Sequence, residues 1–105
     1  MSEKTRKSAK EDWGRYLAKA LRHTGSTFRP PMEAVRAFED VDHAGKPALR
    51  VFIIVPDSST DEDLSYENVT PIEDAIFDAV MQEEPTLWPY VRFVRHSEAA
   101  AQAVG

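Results

Sequence analysis

Cysteine is absent from the 105 residues of this chain. That excludes disulfide scaffolds, thiolate zinc sites, iron–sulfur clusters and cysteine nucleophiles. Glycine is scarce, and Gly14, Gly25, Gly45 and Gly105 stand far apart. Phosphate-cradling loops and dinucleotide fingerprints need closely spaced glycines, so neither is present. No apolar run approaches the roughly 18 residues of a membrane span, and no membrane partner is expected. The first ten residues carry positive charge with no apolar stretch behind them. They do not read as a secretory signal, which makes the cytoplasm the expected compartment.

Catalytic and metal constellations are missing in the same way. His23, His43 and His96 fall in different segments, with no second ligand three or four residues on, and read as surface residues. Asp57, Asp61, Asp63 and Glu67 offer oxygen ligands but lack the spacing and central glycine of a calcium loop, so they read as a solvated acidic loop. No Gly-x-Ser-x-Gly elbow occurs, and an unshielded acidic run gives no means of tuning a carboxyl toward neutrality. No catalytic residue, cofactor or metal ligand is assigned, and the chain reads as non-catalytic.

What is present is a segregation of charge. The net charge is −5. Up to residue 30, Lys4, Arg6, Lys7, Lys10, Arg15, Lys19, Arg22 and Arg29 face only Glu3, Glu11 and Asp12. Residues 57–84 carry ten carboxylates and no lysine or arginine. Surfaces of one sign steer partners of the other.

Periodicity then gives the elements. Trp13, Tyr16, Leu17, Ala20 and Leu21 recur at helical spacing, with Arg15, Lys19 and Arg22 opposite, predicting a helix over 9–24. Gly25 is its natural stop, and residues 1–8 read as a flexible basic tail. Residues 28–31 form an extended connector. Residues 35–41 and 49–55 read as two strands of a hairpin, with Gly45 in the turn at positive φ. A short helix over 31–37 is the alternative for the first. Thr70-Pro71-Ile72-Glu73 has the form of a capping box with proline at the first helical position, so Thr70 is expected to cap the second helix. Ile72, Ala75, Ile76, Ala79 and Val80 supply its core stripe, and Pro85 ends it. Residues 88–95 read as the last strand. Residues 97–105 read as a flexible or frayed-helical tail.

The expected fold is therefore a single α+β domain over 9–96, a two-layer sandwich in α–β–β–α–β order. Its sheet is small, mostly antiparallel and three-stranded, packed with two helices. A crossover to a parallel last strand would be right-handed. Both faces of the second and third strands are apolar, so the helices cover opposite faces or a partner covers one. In the second helix Phe77 and Met81 fall outside the core stripe beside Asp74 and Asp78. With Trp88 and Tyr90 these form the candidate partner-binding set, an apolar patch with an acidic rim. The expected function is a small cytoplasmic interaction or regulatory module that binds a protein partner or a second copy of itself. The alternative is a nucleic-acid-binding accessory protein that uses Lys4, Arg6, Lys7, Lys10, Arg15, Lys19 and Arg22.

Overall fold

A computed structural model of the chain describes residues 12–24 and 28–104, the side chains of 101–104 excepted. The elements run α1 (Trp13–Arg22), β1 (Ala34–Val41), β2 (Pro47–Val55), α2 (Tyr66–Glu83), β3 (Trp88–Arg95) and α3 (His96–Val104). The architecture is α+β, as the periodicities require. The sheet order is β1-β2-β3, with β2 central. β1 pairs with β2 antiparallel, whereas β3 pairs with β2 parallel, so the sheet is mixed. The parallel pair follows from the connection. A two-residue turn reverses a strand, but α2 carries the chain back to the end from which β2 began.

α1 and α2 lie on the same face of the sheet. Trp13, Leu17 and Leu21 from α1 and Ile72, Ile76 and Val80 from α2 enclose Leu49, Val51, Ile53 and Val55 of β2. All ten are nearly inaccessible to water. Gly14 lets α1 cross β1 closely, because a Cβ there would lie 2.8 Å from the Val35 carbonyl oxygen. Trp13 donates its indole N–H to Glu39 at 3.3 Å, and the Tyr16 hydroxyl donates to the Ala79 carbonyl at 3.3 Å. These bonds tie α1 to both β1 and α2. Met81, expected on an uncovered flank, packs against this core instead.

Three expectations need correction. α2 begins at Tyr66, with Ser65 at its cap, so Thr70 lies inside the helix and Pro71 at its sixth position. Continuing the stripe backward explains this, since Val69 is buried in line with Ile72, Ile76 and Val80. The Pro71 ring sits on the exposed side, where water can take the Glu67 carbonyl that loses its helical donor. The last residues, secondly, form a helix. Asp57 accepts from the Ser97 N–H at 2.9 Å and Glu98 from the Arg95 N–H at 2.9 Å, so the first turn of α3 has its donors satisfied. Thirdly, the helices do not divide between the faces as one alternative required. The basic tail and Gly25 lie outside the described residues. Gly45 adopts φ +80° in the hairpin turn, as expected.

Candidate functional site

The second face of the sheet is covered at one end only. The register stacks its side chains in rows across the three strands. Ala34, Ile54 and Val94 form the row beneath α3, where Ile54 and Val94 are buried. The next row is Arg36, Phe52 and Arg92, followed by Phe38, Arg50 and Tyr90, then Asp40, Ala48 and Trp88. Aromatic rings and guanidinium groups therefore alternate in a checkerboard, because strand alternation brings every second residue to the same face. Phe38 and Trp88 are each 52% exposed and Tyr90 37%.

The contacts within this surface are specific. The Phe38 and Phe52 rings lie 6.0 Å apart with planes 24° from parallel. Arg50 sits 5.4 Å over the Tyr90 ring centre and 3.3 Å from the Asp40 carboxylate. Tyr90 donates its hydroxyl to Asp42 at 3.2 Å. Asp42 also accepts the backbone N–H groups of Ala44 and Lys46 in the hairpin turn. The Lys46 N–H above all, aided by Ala44 and Tyr90, holds the Asp42 carboxyl below its ordinary range. Partial burial, with the charge of Asp42, pushes the Tyr90 hydroxyl up. Among the described residues neither Arg36 nor Arg92 forms an ion pair.

Around the outer edge of β3 lies a second surface. Phe77 of α2 meets Trp88 edge-on, with ring centres 5.2 Å apart. Phe77, Glu73 and Asp74 of α2 and Pro89, Tyr90 and Val91 of β3 line an open groove of about 300 Å³. Burial, reinforced by the neighbouring Asp74 charge, raises the Glu73 carboxyl above its ordinary value. β3 is an edge strand, and among the described residues no strand pairs with its outer side.

The sequence-derived candidates thus divide. The structure brings Phe77, Asp74, Trp88 and Tyr90 to one corner, with Asp78 exposed on the same helix and Met81 withdrawn to the core. Arg15, Lys19 and Arg22 are exposed on α1, in the layer opposite the checkerboard, while Lys4, Arg6, Lys7 and Lys10 lie outside the described residues. Sequence reasoning missed Arg36, Phe38, Arg50 and Phe52 as members of one surface. Their alternation was readable, but the register that aligns them with Arg92 was not.

The acidic loop is spent on structure. Asp63 and Thr60 exchange hydrogen bonds at 3.0 Å, Arg29 lies 3.6 Å from Glu62 and Asp63, and Asp61 lies 3.6 Å from Arg95. Arg95 donates from Nε and Nη2 to the Ser59 carbonyl at 3.2 and 2.9 Å. His23, His43 and His96 are all exposed, and His96 Nδ1 lies 3.0 Å from Glu33. Among the described residues no group of three or more His, Cys, Asp or Glu could hold a metal ion. No helix there is long and apolar enough to cross a membrane.

No protein-family model matches the chain, and neither does any curated protein sequence. A solved structure of CzrB, described as a candidate zinc transporter and determined in its zinc form, is similar in fold. The TM-score is 0.55 at 14% identity, over 87% of this chain and 89% of that one. At that identity the likeness concerns the fold alone.

Proposed function

We propose that the protein is a non-catalytic cytoplasmic interaction module that binds a protein partner at the corner between α2 and β3. The observation that carries this reading is the meeting of Phe77 with Trp88 beside an open strand edge and an acidic helix face. An unpaired edge offers backbone donors and acceptors to an added strand. Phe77, Trp88 and Tyr90 supply apolar contacts, and Glu73, Asp74 and Asp78 supply a negative rim. The complementary occupant is an extended segment that alternates apolar and basic residues. Its charge would favour ionised Glu73 and so return that carboxyl toward its ordinary value.

An alternating Lys–Val octapeptide tests the reading. Binding should protect β3 amides from hydrogen exchange, weaken with salt and fall at least tenfold in Phe77→Ser, with the melting temperature of the variant as a control for folding. Equal binding by wild type and a folded Phe77→Ser would refute it. Protection of β3 that instead tracks protein concentration, without peptide, would place a second copy of the chain on that edge.

A further inference from the structure

The checkerboard face belongs to the opposite side of the molecule and does not depend on the corner reading. Its chemistry is different as well. On the two uncovered central rows the side chains are three arginines and three aromatic rings, with no aliphatic group and no carboxylate. The flanking acids are engaged: Asp40 with Arg50, Asp42 with Tyr90 and the hairpin turn, and Glu33 with His96. The exposed acids of α2, Glu67, Asp74, Asp78 and Glu83, lie in the other layer. The acidic composition of the chain therefore does not set the charge of this face.

We propose that the open face of the sheet is a platform for a single-stranded nucleic acid, with bases on Phe38 and Phe52 and phosphates at Arg36 and Arg92. The arrangement follows from the register. Arg36 and Arg92 flank Phe52 from the two neighbouring strands, each about 4.8 Å away across the ladder. A base resting on the exposed Phe38 ring continues the nearly parallel Phe38–Phe52 pair. The guanidinium groups of Arg36 and Arg92 are exposed and have no ion-pair partner among the described residues. Arg50, by contrast, is fixed between Asp40 and Tyr90 and holds the platform in shape. Single strands present the flat faces of their bases, which such rings require. A duplex hides those faces in its own stack and offers only phosphates to the arginines. α3 closes the platform at the Ile54 row, so its length is short and sequence preference is weak.

Fluorescence anisotropy of a labelled mixed-sequence 12-mer, as single-stranded DNA, single-stranded RNA and duplex DNA, tests the proposal at low salt. The full-length chain should bind a single strand at least tenfold more tightly than the duplex. Phe38→Ala, on an exposed edge position, should weaken single-strand binding about 5- to 100-fold, the range for removing one stacking ring. Arg36→Ala with Arg92→Ala should lower the slope of log K against log salt by about 1.4, at roughly 0.7 per phosphate contact on a single strand. A second full-length variant, with Lys4, Arg6, Lys7 and Lys10 changed to alanine, keeps the face intact. If that variant loses binding while folded Phe38→Ala and the arginine pair do not, the N-terminal segment is the site and the proposal is overturned. Absence of oligonucleotide binding, or equal affinity for duplex and single strand, also overturns it. So does tighter, Phe38-dependent binding of poly-glutamate, which would make the face a dock for an acidic protein.

Discussion

Thr70 allows the clearest test of how α2 is built, because two placements of the helix start predict opposite signs. With the helix beginning at Tyr66, the Thr70 hydroxyl oxygen is buried and has no hydrogen-bond partner. A buried hydroxyl left unpaired costs about 1–3 kcal/mol. Valine keeps the shape of threonine, has a similar helix propensity and carries no hydroxyl. Thr70→Val should therefore stabilise the protein by about 1 kcal/mol, toward the low end of that range. In urea, with a slope of about 2 kcal/mol per molar, the denaturation midpoint rises by roughly 0.5 M. A capping threonine would behave in the opposite way, losing about 1 kcal/mol with its side-chain acceptor. Ser65→Ala is the companion. Ser65 makes no side-chain cap bond, so its loss should cost under about 0.5 kcal/mol, the low end for a cap. Equilibrium unfolding followed by far-ultraviolet circular dichroism reads both. A lower midpoint for Thr70→Val would refute the reasoning and return the helix start to Thr70.

Gly14→Ala sets about 1 kcal/mol of gained helix propensity against overpacking of about 1–3 kcal/mol where the new Cβ meets the Val35 carbonyl. The expected net loss is about 1 kcal/mol, and a higher urea midpoint would show that α1 has room to withdraw. Ile76→Ala, in the wholly buried stripe of α2, should cost roughly 2–5 kcal/mol; a loss under about 1 kcal/mol would mean that α2 does not cover the sheet. Asp42 has a folded-state pKa below its unfolded one, so its stabilising effect is present above the ordinary carboxylate range and fades as pH falls through the lowered value. A carbon-detected NMR titration of the Asp42 carboxyl should show that downward displacement, and Asp42→Ala should remove its share of the acid-side loss of hairpin stability. An undisplaced titration would break the link between the turn and Tyr90.

The strands were the most legible part of the chain. Residues 88–95 were expected as a strand and form β3, because alternating Val91, Phe93 and their neighbours have no competing helical stripe. α1 was equally readable from Trp13, Leu17 and Leu21, all of which are buried. The start of α2 was misplaced because Thr70-Pro71 imitates a helix entry so well that Val69, one residue earlier, was left outside the stripe. The α3 cover depended on Asp57, which lies 40 residues away from the Ser97 amide it accepts. Local patterns carry no such information. The corner was partly legible, since Phe77 and Trp88 were both singled out but their contact was not foreseen. The checkerboard needed the pairing of three strands, and register is a property of the assembled sheet.

The mixed pairing of β2 has a consequence for the order in which the chain assembles. Its antiparallel side is satisfied by a neighbour only a short turn away, whereas its parallel side must wait for residues 88–95. Closing the nearer loop costs less chain entropy, so pulse-labelled hydrogen exchange should find the hairpin protected before the β2–β3 amides. During synthesis at about 5–20 residues per second, β2 therefore spends seconds as a bare, strongly apolar edge. The segment that follows it out of the ribosome is the run over 57–84, which contains ten carboxylates and no cation. Two nascent chains meeting at that moment repel each other through this segment, next to the strand that would otherwise join them. The acidic run thus serves as a chaperone-like guard written into the connection, active only until β3 arrives and the edge disappears.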